Sequence, residues 1–285
     1  MTSLKEIKRR ISSIKNIRKI TSAMRMIASA KLHRAQNAVA NALPYERQLQ
    51  NMLSSLLLSE SDIVSPYTKS RGEVKRVAMV CFSSNSSLCG AFNINVIKKL
   101  NVIIRLNYSK IDKNDILIYP VGHRIYEAVL REGYRPQGDF RKMAEKPNYS
   151  DAAELARQLM ELFTTHQVDR VELVYNHFKS MAAQVTTQKV FLPVSLQEIK
   201  STKNYLLEPS REQLIALLLP KVLELQIFST LLDSVAAEHA ARTIAMQLAT
   251  ENAEELLSEL TLLYNKSRQQ AITNELLDIV GGMAR

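Results

Sequence analysis

Glycine and proline mark where regular secondary structure must stop, and in this 285-residue chain they avoid both ends. Residues 1–43 and 221–280 contain neither residue type, whereas most of the seven glycines and eight prolines fall between positions 44 and 220. This distribution predicts two long helices that flank a compact, loop-bearing middle. At about 1.5 Å per residue the second segment would be roughly 90 Å long, far beyond the average globular helix.

Both terminal segments place apolar residues at the spacing of a helix. The mean spacing in the first is about 3.5 residues, the coiled-coil value, and the second repeats at multiples of three and four with interruptions at Glu238 and Arg242. The apolar positions are Leu4, Ile7, Ile11, Ile14, Ile17, Ile20, Met24, Ala28, Leu32, Ala35, Val39 and Leu43, then Leu223, Ile227, Leu231, Val235, Ala245, Ala249, Leu256, Leu260 and Leu263. Because a stripe one residue wide needs a partner helix, the sequence predicts a long antiparallel coiled coil of the two terminal helices.

The helix ends also predict how the two helices align. If the first runs to about residue 56, the second starts near residue 211 and both enter the middle domain at one level, the numbers of facing residues add up to about 267. Met1 then faces Lys266, and about twenty C-terminal residues have no partner helix. The apolar residues of this end are Ala271, Ile272, Leu276, Leu277, Ile279 and Val280, and we expect another protein surface to cover them.

The middle of the chain has the pattern of an α/β domain. Two β-branched runs, residues 74–83 and 115–122, are each followed by a helical stretch, near 93–106 and 123–132. A further helix near 151–166 precedes residues 170–178 and 184–193, which form a predicted hairpin. The predicted fold is therefore α/β, with a central doubly wound domain at 72–200 between coiled-coil helices at 1–58 and 209–285.

The α/β middle of the chain contains few residues in the arrangements that catalysis or ligand binding requires. Neither glycine-rich phosphate-binding motif is present, and the first strand runs instead into "SSNSSLCGAFN" at 83–93. A nucleophile at Cys89 would need a base such as His123, His166 or His177, and a small buried cysteine at a strand-to-helix turn is the simpler interpretation. Two cysteines and five histidines form no zinc-ligand spacing, and no stretch approaches eighteen consecutive apolar residues. The sequence predicts no catalytic residue, cofactor or metal, and no direct membrane insertion.

Nearly all of the net charge of +10 lies in the first helix. Residues 1–34 hold one acid, Glu6, and ten basic residues: Lys5, Lys8, Arg9, Arg10, Lys15, Arg18, Lys19, Arg25, Lys31 and Arg34. Four interpretations compete: a transit peptide, a nucleic-acid arm, a membrane-surface helix, or a helix that lies against an acidic protein surface. Residues 1–43 contain no aromatic residue, which disfavours the nucleic-acid and membrane interpretations. A basic coiled-coil protein that binds nucleic acid or acts as a scaffold remains the alternative function.

Three segments resemble the γ subunit family of F-type ATP synthases. They are "SLKEIKRRISSIKNIRKITSAMRMIASAKLHRAQ" (3–36), "AEHAARTIAMQLATENA" (237–253) and "LTLLYNKSRQQAITNEL" (260–276). The family's C-terminal signature is met by Ile272, Thr273, Glu275, Asp278 and Gly282 and departs at Met283. The family's turn after the first strand is matched by Ser84, Leu88, Cys89 and Gly90, with departures at Asn85, Ser86 and Ser87.

The resemblance implies a central rotor shaft that makes no bond itself, a non-catalytic subunit of a proton-transporting two-sector ATPase. In that family the terminal helices turn inside a hexamer of three α and three β subunits, and the α/β domain grips the ε subunit and the membrane rotor ring, the c ring. The implied location is the cytoplasmic face of the bacterial plasma (inner) membrane, as a peripheral protein. Nucleic acid is not an implied partner.

The resemblance also assigns coupling residues by matching position. Lys8, Arg9 and Arg10 form a basic collar expected to meet an acidic lever on the β subunit. Residues expected to face the ring or couple the shaft to it are Met24, Arg25, Met26, Arg242, Gln269, Thr273 and Glu275. Each has a plainer interpretation: Met24 as a core position, Arg242 as a solvated or ion-paired arginine, and Thr273 as a helix residue that bonds back along its own turn.

Overall fold

The computed structural model describes residues 4–57, 65–69, 72–194 and 210–283. In chain order its elements are α1 (Leu4–Leu57), β1 (Val77–Phe82), α2 (Phe92–Asn107), β2 (Ile116–Val121), α3 (His123–Arg131), α4 (Arg141–Glu145), α5 (Tyr149–Thr164), β3 (Arg170–Phe178), β4 (Gln184–Leu192) and α6 (Arg211–Met283). The predicted long helices, strands and hairpin are confirmed. Sequence reasoning missed two short elements, α4 and a 3₁₀ turn at Lys113–Asp115.

Both long helices continue through a proline. Pro44 lies inside α1 and Pro220 inside α6. A proline within a helix removes one backbone hydrogen bond and crowds the preceding turn, so these positions are local weak points. The packing of apolar residues on both sides of each proline outweighs that cost, and the helix bounds agree with the expected limits near residues 56 and 211.

The sheet has the order β2-β1-β3-β4. Strand β1 is parallel to both β2 and β3, and β4 pairs antiparallel with β3 as the second strand of the predicted hairpin. All six residues of β1 are buried. A central strand of a sheet covered on both faces is expected to be this uniformly apolar.

Alternate residues of β1 point into two different cores. Ala78, Val80 and Phe82 belong to a large cluster that includes residues of α5 and α6. Val77, Met79 and Cys81 belong to a second cluster with residues of α2 and α3. Helices therefore cover both faces of the sheet, and the predicted doubly wound arrangement is confirmed.

One buried carboxylate interrupts the second core. Glu172 on β3 is fully buried, accepts hydrogen bonds from the Tyr108 hydroxyl at 2.7 Å and the Gln188 amide at 2.8 Å, and lies 2.9 Å from the Arg170 guanidinium. Burial, followed by the bond to Glu172, raises the pKa of Tyr108 above its ordinary range. Removing one of these partners would leave the buried charge with only two of its three contacts and should destabilise the protein.

The chain divides into two compact units. The helix-pair unit consists of residues 1–29 and 242–285, and the α/β unit consists of residues 30–241. In the α/β unit the later part of α1 packs on α6 through small side chains, with Leu32 and Ala35 against Ala236 and Ala240.

The described part of α6 also contains an 18-residue window with a mean hydropathy of 1.7, apolar enough by composition to cross a membrane. Half of that window is buried inside the protein. A single such helix is weak support for a membrane span, because a buried core helix has the same composition.

Candidate functional site

The helix-pair unit contains most of the predicted coupling residues, and its register is fixed by two polar contacts. The hydroxyls of Thr21 and Thr250 lie 2.9 Å apart, and the Arg18 guanidinium lies 3.7 Å from the Glu254 carboxylate. The predicted register placed residue 246, not residue 250, opposite Thr21. That prediction was wrong by about one helical turn. The helix ends were right, but the numbers of the facing residues Thr21 and Thr250 add up to 271 and not to about 267.

The buried seam of this unit contains lines of residues that repeat every seven positions. On α1 the buried or half-buried positions on these lines are Ile7, Ile14, Thr21 and Ala28 on one line and Leu4, Ile11, Arg18 and Arg25 on the other, and Ser22 and Met24 are half-buried beside them. On α6 they are Thr243, Thr250, Leu257, Tyr264 and Ala271 on one line and Met246, Ala253, Leu260 and Ser267 on the other. This repeat of seven is the geometry of a left-handed coiled coil.

Several apolar residues assigned to the seam from sequence lie outside it. Ile17 and Ile20 are 47% and 59% exposed, and Leu256 and Leu263 are each 45% exposed. Ile17 and Ile20 are neighbours of the seam positions Arg18 and Thr21, which carry polar side chains, so selection of the most apolar residue displaced the predicted stripe on α1. Leu256 and Leu263 are neighbours of the seam positions Leu257 and Tyr264, so the predicted stripe on α6 was placed one residue too early.

The basic collar of Lys8, Arg9 and Arg10 is exposed, as expected for a surface that meets a partner. Arg10 forms an ion pair with Glu6 one turn earlier, at 2.9 Å. Arg9 and Arg10 border a groove of about 490 Å³ whose apolar walls include Ile14, Leu256 and Leu260. A single exposed ion pair contributes about 0 to 1 kcal/mol, so this pair does little to rigidify the collar.

The Met24–Met26 segment is divided between the seam and the surface. Met24 and Arg25 are half-buried, whereas Met26 is 64% exposed. The alternative that Met24 is a core position agrees with its partial burial. Met26 is exposed, as are Ile17, Ile20 and Ile27 of the same helix.

The predicted C-terminal residues lie in different environments. Arg242 is only 8% exposed, which excludes the interpretation as a solvated arginine. Gln269, Thr273 and Glu275 are exposed, and the Thr273 hydroxyl donates to the Gln269 carbonyl at 2.9 Å. The Thr273 hydroxyl therefore bonds back along its own helical turn, which agrees with the plainer interpretation of this residue. Helix α6 continues to Met283, while the side chains of 280–283, including the Gly282 and Met283 positions, lie outside the described residues.

These residues do not form one cluster. The middle of the collar, Arg9, and the middle of the Met24–Met26 segment, Arg25, are about 24 Å apart along α1. Gln269 and Thr273 lie beyond the point of α6 that faces Leu4. The candidate site is therefore an extended surface of the helix pair, suited to contact with a surrounding protein and not to chemistry on a small substrate.

The α/β unit has the crevice at which doubly wound proteins bind ligands, the carboxyl ends of the parallel strands. Here the first amides of α3 are already hydrogen-bonded. The amide of His123 donates to the Asn85 side chain at 3.0 Å, that of Arg124 to the Ser84 carbonyl at 3.2 Å, and that of Ile125 to the Ser83 hydroxyl at 3.0 Å. Amides at a helix start are the groups that would otherwise hold a phosphate.

Asn85 is one of the positions at which this chain departs from the family's turn after the first strand, and its contacts give a structural reason for the asparagine. Its side chain accepts from the amide of His123 and donates to the carbonyl of Arg141 at 2.8 Å, so it joins three chain segments. Gly122 completes the closure, because its backbone has φ +108° and an added Cβ would lie 2.2 Å from the Ser83 carbonyl oxygen.

Cys89 is 1% exposed, in agreement with the structural interpretation of this residue. Its sulfur accepts from the Asn93 amide at 3.1 Å and lies 3.6 Å from the Ser84 hydroxyl. Within the described ranges, no group of three or more His, Cys, Asp or Glu side chains is arranged to hold a metal ion.

Sequence reasoning missed a second cavity, in the α/β unit. It has a volume of about 490 Å³ and is lined by residues of α1, β3, β4 and α6, including Glu46, His177 and Asp233. Glu46 gave a weak signal in the sequence, as an acid between Leu43 and Leu49 of an otherwise apolar pattern. His177 and Asp233 gave none, because 56 residues separate them.

A protein-family model described as ATP synthase matches residues 3–284. An ATP synthase gamma chain of Phocaeicola vulgatus is 54% identical over 288 residues, which cover 99% of this chain and 99% of that relative. An ATP synthase gamma chain of Parabacteroides distasonis is 49% identical over 287 residues, covering 100% of this chain and 99% of that relative.

Among solved structures, a chain of the mitochondrial ATP synthase of Euglena gracilis in rotational state 3 superposes with a TM-score of 0.66. It is 18% identical in sequence, and the match covers 99% of this chain and 93% of that chain. At this identity the likeness concerns the fold, which is shared along nearly the whole length.

Proposed function

This chain belongs to the family of ATP synthase gamma chains, and on this premise we propose that it is the central stalk of an ATP synthase. As a rotor shaft it couples ion-driven rotation to ATP synthesis or hydrolysis at sites on the β subunits. The observation that carries this proposal is the 54% identity to a gamma chain over 99% of both sequences. The shared fold of the structural relative, a long helix pair with an α/β domain, supports it.

The surface of the helix pair suits a shaft. One side of α1 exposes Ile17, Ile20 and Ile27, whereas its first turns expose the basic collar. Three identical subunits arranged around such an asymmetric surface each contact a different part of it, and these parts differ in charge and polarity. Unequal contacts stabilise unequal conformations of the three subunits, so rotation changes their affinities for nucleotide.

The proposed partners are the hexamer of three α and three β subunits, the ε subunit and the c ring. We propose that segments 1–58 and 209–285 form the shaft and that segment 72–200 is the domain that holds ε and the c ring. The chain itself is proposed to be non-catalytic. This is supported by the first amides of α3, which are hydrogen-bonded within the protein and are therefore not available to a phosphate.

The proposed location is the cytoplasmic face of the plasma membrane, where the chain is held by its partners. Coupling residues are proposed at three levels of the shaft: the collar, the Met24–Met26 segment with Arg242, and the exposed C-terminal positions Gln269, Thr273 and Glu275. The collar is the level that charge substitution tests most directly.

The decisive experiment removes the collar's charge in the assembled complex. A variant with Lys8, Arg9, Arg10, Lys15 and Arg18 all changed to Gln is assembled with its partner subunits in membrane vesicles. We expect ATP-driven proton pumping to fall by at least about half, because several charges act together where each single one contributes only about 0 to 1 kcal/mol. Single changes in the collar should leave pumping nearly unchanged.

A matched control changes five exposed basic residues of the α/β unit to Gln: Lys98, Arg105, Lys110, Arg131 and Lys142. This control lowers the net charge equally but leaves the helix pair unchanged, so a fall in pumping as large as that of the collar variant would show that net charge, and not the collar, is what matters. Full pumping in the collar variant would contradict the proposal that the charge of the collar is needed for coupling. Affinity purification of the native chain distinguishes the functions themselves: recovery of α, β and ε subunits supports the shaft, and recovery of nucleic acid without them supports the basic coiled-coil alternative.

A further inference from the structure

The cavity lined by Glu46, His177 and Asp233 has no part in the proposed shaft function. It lies where the later part of α1 and the first half of α6 pass over the β3–β4 hairpin, all within the α/β unit. Its volume of about 490 Å³ is within the usual range of small-molecule sites. Much of its wall is apolar, with contributions from Val39, Leu43 and Leu232.

The polar groups of the cavity are dominated by two carboxylates. Glu46 is 9% exposed and accepts a hydrogen bond from the Gln50 amide at 3.1 Å and another from Ser229. Asp233 accepts from the backbone amide of Phe178 at 2.9 Å and lies 2.6 Å from the His177 ring. Fixed in this way, both carboxylates are pre-organised and need no rearrangement to meet a ligand.

The electrostatics of the cavity favour a cation. With histidine counted as neutral, the lining holds two carboxylates and a single ammonium, that of Lys189, although the protein as a whole carries +10. Burial raises the pKa of Glu46; the hydrogen bond from Ser229 and the charges of Lys189 and Arg47 oppose that increase, and the charge of Asp233 adds to it. Burial, then the charges of Asp233 and Glu46, raise the pKa of Tyr175 to about 12, so both carboxylates act on the same phenol. A bound cation would interact favourably with both carboxylates.

We propose that this cavity binds an organic cation consisting of a primary ammonium group and an apolar body. The ammonium has three donors, which match the carboxylates of Glu46 and Asp233 and the hydroxyl of Tyr175 as acceptors. The apolar body lies between Leu43, Leu232 and the edge of Phe178. A carboxylate ligand would instead face two like charges, with Lys189 as its one ammonium partner among the residues of the lining.

The test compares three ligands that share one apolar body and differ in charge: phenethylamine, phenylethanol and phenylacetate. Binding to the purified full chain is measured by isothermal titration calorimetry at pH 7.5. We expect the amine to bind at least about tenfold more tightly than the alcohol, since each hydrogen bond to a charged group is worth about tenfold or more. The carboxylate should bind most weakly of the three.

Two variants locate the binding. Glu46→Gln keeps the shape and hydrogen bonds of the side chain and should weaken amine binding about tenfold while leaving alcohol binding within about twofold. The matched control is Glu154→Gln, an exposed acid on α5 outside the cavity, which should change neither. Ala40→Phe fills the cavity from an exposed position of α1, where a larger side chain is tolerated, and should abolish binding of all three ligands.

Equal affinity for the three ligands, or amine binding that Glu46→Gln and Ala40→Phe both leave intact, would overturn the proposal. Failure of the native chain to bind the amine at millimolar concentration would overturn it as well. None of these outcomes bears on the shaft function, which the pumping assay tests separately.

Discussion

Replacement of Gly122 by alanine should destabilise the α/β unit more than any other glycine-to-alanine change there. Gly122 joins β2 to α3 with φ +108°, a backbone conformation that side chains rarely adopt. The added Cβ would lie 2.2 Å from the Ser83 carbonyl oxygen, 2.7 Å from its hydroxyl and 2.8 Å from its carbonyl carbon. The first and third of these atoms are backbone, which cannot rotate away, so the ends of β1 and β2 must separate by about 1 Å.

The cost has three parts. The backbone strain is worth about 1–3 kcal/mol, the forced repacking a further 1–3 kcal/mol, and loss of the bond from the Ile125 amide to the Ser83 hydroxyl about 1 kcal/mol. We expect a total loss of about 3–7 kcal/mol in the free energy of unfolding. Urea unfolding of the purified chain, followed by circular dichroism, should show the midpoint lowered by about 1–2 M.

Gly133→Ala is the matched control. Gly133 also has a positive φ, +81°, but the nearest atom to an added Cβ is the flexible end of Lys113 at 3.8 Å. The Gly133→Ala variant should lose only the free energy of the backbone strain, about 1–2 kcal/mol. If the two variants unfold at the same urea concentration, the contact with Ser83 is not what requires glycine at position 122, and the reasoning fails.

Three further predictions concern other parts of the molecule. Burial raises the pKa of Glu46 above its ordinary 4.5, so the folded state binds this proton more tightly than the unfolded state does. The contribution of Glu46 to the free energy of unfolding is therefore greatest below pH 4.5, and it falls as the pH rises through the raised pKa. Glu46→Gln should therefore remove part of the decrease in thermal midpoint between pH 4.5 and pH 8; an unchanged pH profile would contradict this. In the helix pair, Thr21→Cys with Thr250→Cys should form a disulfide on mild oxidation, whereas Thr21→Cys with Met246→Cys should not, and the reverse would restore the register expected from sequence. The purified chain should show no saturable ATP binding by calorimetry at micromolar concentration, and such binding would revive a nucleotide-dependent function.

The positions of the helices and strands were predictable because each follows from local patterns. The absence of glycine and proline outlined α1 and α6, and β-branched runs marked all four strands. The short α4 was missed because five residues are too few to show a helical period. The alignment of α1 with α6 was wrong because it depends on the level at which each helix meets the sheet, and no local pattern records that level.

The seam of the helix pair shows why the most apolar residue is a poor guide to burial. Thr21 and Thr250 satisfy each other's hydroxyls, so a buried polar pair is stable where sequence reasoning expected isoleucine. Arg18 and Arg25 occupy half-buried seam positions, and the Arg18 guanidinium reaches the Glu254 carboxylate on the partner helix; a long apolar stem with a charged end suits such a position. The cavity of the α/β unit was not predictable, since Glu46 and Asp233 come from distant parts of the chain and meet only in the folded protein.

The bonded amides at the start of α3 have a mechanical consequence. Doubly wound domains that bind ligands commonly have an open and a closed form, and the loops at the carboxyl edge of their sheet move between the two. Here those amides donate to Ser83, Ser84 and Asn85, and these hydrogen bonds oppose such a movement. A body held in one arrangement responds to force by small elastic strain. A domain tied together in this way is a stiff joint, and it transmits a twist applied at one side with little loss of angle.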